Sequence, residues 1–75
     1  MYIATPRSGY INSEYISRIY FTRENSHYYI QADVQDTSYK LSEAFDTPEE
    51  ALNVIESIIK SEHNGNIPIY FFSNK

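Results

Sequence analysis

A chain of 75 residues is long enough for one domain, here taken as residues 1–75, and lies near the lower size at which a single apolar core suffices without a disulfide or a metal. It contains no cysteine, which removes disulfide frameworks and thiolate metal sites, and its ten acidic against six basic residues give a net charge of −4 that disfavours non-specific binding to nucleic acid or anionic membrane. Met1 to Arg7 lacks a basic segment followed by an apolar run, and no stretch approaches the roughly 18 apolar residues of a membrane span, so a cytoplasmic protein is expected.

Residues 1–12 read as a short extended lead, with Tyr2-Ile3 and Tyr10-Ile11 as apolar pairs broken by Pro6 and Gly9. A strand is expected near Tyr10-Ile11, and Asn12-Ser13-Glu14 is a turn signal because these side chains bond their own backbone. Residues 16–23 and 27–34 are β-branched and aromatic runs, and Arg23-Glu24-Asn25-Ser26 suits a four-residue hairpin loop. That loop pairs Thr22 with His27, Phe21 with Tyr28, Tyr20 with Tyr29, Ile19 with Ile30 and Arg18 with Gln31. One face then collects Ile19, Phe21, Tyr28, Ile30, Ala32 and Val34, and the other Arg18, Tyr20, Thr22, His27, Tyr29, Gln31 and Asp33. A tight Asp36-Thr37 turn leads to a third strand, 39–45, setting Val34 by Tyr39, Ala32 by Leu41 and Asp33 by Lys40.

Thr47 to Lys60 is the one segment with clearly helical apolar spacing. Thr47 can cap it, Pro48 needs no amide partner at the first helical position, and Glu50 can reach back to the cap amide. Ala51, Leu52, Val54, Ile55, Ile58 and Ile59 form a broad apolar stripe, and Asn64-Gly65 supplies the stop. Ile67 to Phe72 reads as a last strand, with Pro68 placing it at an edge and Tyr70 and Phe72 sharing a face. The expected architecture is α+β and two-layered: an antiparallel sheet, made of a three-stranded meander plus the C-terminal strand, with one helix packed on one face.

Chemistry-bearing patterns are sparse. His27 and His63 stand in no zinc-binding spacing, no G-x-S-x-G elbow occurs, and Gly9 and Gly65 are the only glycines, so no phosphate-cradling loop is present. Glu49 and Glu50 are adjacent acids, but their place in the first helical turn explains them as capping and dipole residues. The reading is therefore a non-enzymatic protein with no metal and no cofactor.

The remaining feature is the sheet face turned away from the helix. There Tyr20 and Tyr29 are expected beside Arg18 and Gln31, joined by Tyr70 and Phe72 from the last strand. Tyrosine and arginine anchor protein interfaces, so this face is the candidate contact surface for another protein, either a second copy in a homodimer or a foreign target. The alternative is single-stranded nucleic acid or a nucleotide stacked on the tyrosines, against which the acidic charge weighs. A secondary candidate is the acidic outer face of the helix, Glu49, Glu50, Asn53 and Glu56, which could enter a basic groove.

Tyr10-Ile11-Asn12-Ser13-Glu14-Tyr15-Ile16-Ser17-Arg18-Ile19, a hairpin, and then Phe45-Asp46-Thr47-Pro48-Glu49-Glu50-Ala51 together resemble a pattern found among small uncharacterised proteins of Gram-positive bacteria and their phages. The resemblance covers most of the chain through generic motifs, a turn into a strand and a capped helix. It implies an accessory protein of a phage or other mobile element that binds a host factor, including as an inhibitor of a bacterial defence protein. It carries over no functional residue and names no target.

Overall fold

The computed structural model describes residues 1–72. The fold is α+β: β1 (Tyr2–Thr5), β2 (Gly9–Asn12), a 3-10 turn (Ser13–Tyr15), β3 (Ile16–Glu24), β4 (His27–Val34), β5 (Thr37–Lys40), α1 (Pro48–Asn64) and β6 (Ile69–Phe71). These strands make two three-stranded sheets, β2-β1-β6 and β3-β4-β5, where the sequence suggested one. The meander is present, but the last strand does not join it. Instead β6 runs parallel to β1, pairing Tyr2 with Ile69 and Ala4 with Phe71. β1 thus supplies the centre of a second sheet. Pro6 lies in the hairpin turn that follows it and Gly9 opens β2 at the far end of that turn, taking φ +71°, while the Thr5 hydroxyl accepts from the Ser8 amide and donates to the Gly9 carbonyl. As Pro68 implied, β6 is an edge strand and begins just beyond that proline.

Both meander turns are tighter than the sequence suggested. The first loop is only Asn25-Ser26, with φ of 52° and 70°, the pair of positive values that a twisted two-residue hairpin demands. Glu24 therefore faces His27, Arg23 Tyr28, Thr22 Tyr29, Phe21 Ile30, Tyr20 Gln31, Ile19 Ala32 and Arg18 Asp33. The second turn is Gln35-Asp36, which sets Val34 by Thr37, Asp33 by Ser38, Ala32 by Tyr39 and Gln31 by Lys40. Each register differs from the expected one by two residues, an even number, so every side chain stays on its assigned face. An extra residue at Ser17 breaks the register between Ile16 and Arg18. Without that bulge Ile16 would share the face of Arg18 and Tyr20; with it, Ile16 stands opposite Val34 and packs on the core.

The third strand ends at Lys40 rather than continuing to Phe45. Leu41 still donates its amide to the Ile30 carbonyl (2.7 Å), but the Ile30 amide is then received by the Ser42 hydroxyl at 2.9 Å. The chain swings out at Glu43 and Ala44 and rejoins β4 at Phe45, which exchanges two backbone hydrogen bonds with Tyr28. Ser42 is 1% exposed, so its hydroxyl stands in for a ladder carbonyl inside the protein.

α1 starts as its sequence prescribes. The Thr47 side chain accepts from the Glu50 amide, the Glu50 carboxylate accepts from the Asp46 and Thr47 amides, and Gly65 closes the C-terminus at φ +79°. The helix lies across β3 and β4. Its Ala51 and Ile55 meet Ile11, Ile30, Ala32 and Leu41 in the core, with Phe21, Tyr28, Tyr39, Phe45 and Phe72 packed around them. The apolar stripe is narrower than its composition: Leu52 and Ile59 are 47% and 52% exposed, on one flank of the helix.

Candidate functional site

The uncovered face of the meander carries two neighbouring polar and aromatic clusters, one around Asp33 and one around Lys40. Alternation along β3 and β4 places Arg18, Tyr20, Thr22, Tyr29, Gln31 and Asp33 on it, with Ser38 and Lys40 from β5. Tyr20 and Tyr29 are not directly opposed, because the tighter hairpin sets them diagonally. Both are half-buried. The Arg18 guanidinium sits 4.1 Å from the centre of the Tyr20 ring, and the Lys40 ammonium 4.1 Å from that of Tyr29. Arg18 Nε also reaches Asp33 Oδ2 at 3.2 Å, and Lys40 Nζ reaches Glu24 Oε1 at 3.0 Å.

Asp33 is the hub. Its Oδ1 receives the Ser38 hydroxyl at 2.7 Å and the Tyr20 hydroxyl at 3.0 Å, while Gln31 Oε1 lies 3.2 Å from the same phenol oxygen. The Ser38 hydrogen bond, then the Tyr20 hydrogen bond and the Arg18 charge, hold the Asp33 carboxyl below its ordinary value of 3.8 against the opposing effect of partial burial. A carboxyl depressed on folding stabilises the protein above the unfolded value and loses that contribution as pH falls through the folded one. Acid titration should therefore erode stability from about the ordinary carboxylate range downward, and Asp33→Asn should flatten that limb. Thermal melts of both proteins across acidic pH check this; parallel curves would show that Asp33 does not couple to folding.

Tyr70 and Phe72 do not belong to this face. They sit in and just after β6, on the other sheet, where their rings meet edge-on at 5.5 Å, the Tyr70 hydroxyl donates to Ser57 Oγ on α1 at 3.2 Å, and Phe72 packs on the core. Their share in the sequence-based site came from placing β6 in the meander. Ser38 and Glu24 were missed because the two-residue shift brings them into these clusters in place of the expected Asp33-Lys40 pair.

On the helix, Glu49, Asn53 and Glu56 are exposed, while Glu50 is committed to the cap. Asn53 and Glu56, with Lys60 and Ile67, line a shallow polar groove of about 430 Å³ on the outer face. A second groove of about 280 Å³ runs between the helix end and β3, lined by Ile3, Ile16, Ile19, Ile58 and Ile59 with Glu62 and His63 beside them. His27 lies apart, its Nδ1 3.7 Å from Asp46 Oδ1. Among the described residues no three His, Asp or Glu side chains converge as metal ligands would, and no helix is long and apolar enough to cross a membrane. Neither a protein-family model, nor a curated protein, nor a solved structure matches the chain.

Proposed function

We propose that this is a small non-enzymatic binding protein that works in the cytoplasm by protein contact, through the tyrosine face of the β3-β4-β5 sheet, and that it also self-associates. The observation that carries the reading is the pair of pre-set clusters, Arg18, Tyr20 and Asp33 in one and Tyr29 and Lys40 in the other, on a sheet face opposite the helix. Rings and cations held in place before contact lose little freedom on binding, which is where tyrosine and arginine hot spots draw their strength. Arg18 and Lys40 are balanced by Asp33 and Glu24, so the face suits a mixed polar and aromatic protein surface more than a phosphate backbone. Each tyrosine ring already carries a cation over one side, which leaves stacked bases less to gain.

The resemblance to small phage and Gram-positive accessory proteins supports a host protein as the target and inhibition of a defence factor as the consequence. The test is affinity capture from the source cell with the wild-type chain and with Tyr20→Ala/Tyr29→Ala. The double variant should lose at least tenfold of the captured partner while its circular dichroism stays native. Undiminished capture by the folded variant would overturn the site. Salt-sensitive binding of short oligonucleotides would instead favour the stacking alternative.

A further inference from the structure

The sheet edges differ in what they offer. β6 is three residues long and follows a proline, β2 is four residues long, and β5 is four residues long with its Lys40 carbonyl occupied by the Ser8 hydroxyl at 3.0 Å. β3 is nine residues long and uninterrupted from Arg18 to Glu24.

The direction of its backbone groups follows from β4. The Ile30 amide and carbonyl are spent on Ser42 and Leu41, and both groups of Tyr28 on Phe45, all on the side away from β3. Phe21 and Arg23, which face Ile30 and Tyr28, therefore turn their own amides and carbonyls outward, and alternation adds Ile19. Among the described residues these groups have no backbone partner. An open edge of this length is a template for another strand.

The helix is exposed on the same side. Ile59 lines the apolar groove with Ile16 and Ile19, whereas Ser57 on the opposite flank meets Tyr70. Leu52, two turns before Ile59, shares its flank. Half-exposed leucine and isoleucine thus stand beside an unpaired strand.

We propose that two copies of this chain join antiparallel across β3, about a twofold axis at Phe21, into one six-stranded sheet with the two α1 helices side by side. This rests on the self-association included in the proposed function and places it at the β3 edge, with the Arg18-Glu24 contacts along the margin of the tyrosine face and the Tyr29 ring, on β4, clear of the seam. The axis pairs Phe21 with its own copy, Ile19 with Arg23 of the second copy, and Arg18 with Glu24 of the second copy. A line of alternating charge then runs Asp33, Arg18, then Glu24 and Lys40 of the second copy, continuous with the ion pairs already present. Centring on Tyr20 instead would set Arg18 against Thr22 and forfeit this match. Strands lie about 4.8 Å apart, so helices seated between β3 and β4 in each copy come to rest about 9.6 Å apart, the separation of packed helices. Leu52 and Ile59 then lie between them, which is the burial they lack in one copy.

Sedimentation equilibrium of the full chain tests this. Wild type should approach twice the 8.8 kDa chain mass at micromolar to millimolar concentration. Arg23→Pro removes an outward amide at an exposed residue, and Leu52→Gln/Ile59→Gln strips the helix flank. Each should weaken association at least tenfold with native circular dichroism, while Tyr20→Ala/Tyr29→Ala remains a dimer. A monomeric wild type, or a dimer that survives both edge and flank variants, overturns the inference. Dissociation by the tyrosine variant alone also overturns it, while leaving the tyrosine face as the contact surface of the proposed function.

Discussion

Ile30→Ala is expected to cost about 2–5 kcal/mol, the range for truncating a buried aliphatic side chain where the surroundings only partly collapse. Ile30 is fully buried at the centre of β4, in one cluster with Ile11, Ala32, Leu41, Ala51 and Ile55. It therefore joins the meander, the second sheet and the helix. A domain of this length has roughly 4–11 kcal/mol of stability in total at the usual yield per residue, so the variant should be partly unfolded or nearly so. Urea denaturation should show a lower midpoint at an unchanged slope. Tyr10→Ala supplies the contrast, since Tyr10 is 65% exposed on β2, away from the β3 edge and the helix flank, and its truncation should change the midpoint little. Equal losses at the two positions would contradict the placement of the core.

Ser42→Ala should cost about 1–3 kcal/mol for the loss of a single oxygen. The Ser42 hydroxyl is the acceptor of the Ile30 amide, 2.9 Å away, and the swing of the chain through Glu43 and Ala44 leaves no backbone carbonyl to replace it. Alanine keeps the packing but strands a buried donor, and the penalty is that of desolvating an unpaired amide. Ser57→Ala removes a hydroxyl that meets Tyr70 on the exposed side of α1, where water can take over, and should be nearly neutral. Amide exchange gives the local readout: the Ile30 proton should exchange faster in Ser42→Ala beyond what the global destabilisation predicts. Unchanged relative protection would mean that the amide finds another acceptor.

Much of this architecture is legible in the residues because the signals are local. Thr47, Pro48 and Glu50 specify the helix start chemically, and Asn64-Gly65 its end, without reference to the rest of the fold. The faces of β3 and β4 are legible for a different reason: alternation fixes them, and an error of two residues in register preserves them. That same error hid the two clusters, because Asp33 with Arg18 and Ser38, and Lys40 with Glu24, are matters of register rather than face. The register in turn depended on Asn25 and Ser26 both accepting positive φ, a conformation that asparagine tolerates but serine does not advertise. β1 was missed because Tyr2 to Thr5 is four residues long with only Ile3 fully buried, too short for a periodic signal. The parallel partnership of β1 with β6 is a long-range choice that no local pattern encodes, and with it went the placement of Tyr70 and Phe72.

That partnership also bears on the order in which the chain can assemble. The β3-β4-β5 meander closes through two loops of two residues each, so its pairing requires little loss of chain freedom at each step. β1 and β6 bring together Tyr2 and Ile69, positions separated by almost the whole sequence, with only three residue pairs to reward the closure. Closing so long a loop for so short a ladder is favourable only after the intervening elements have shortened it. Docking of β6 onto β1 is thus expected to be the late and easily opened step, whereas the β1-β2 hairpin, closed through a short turn and holding Ile11 in the core, belongs with the meander among the parts that can form early.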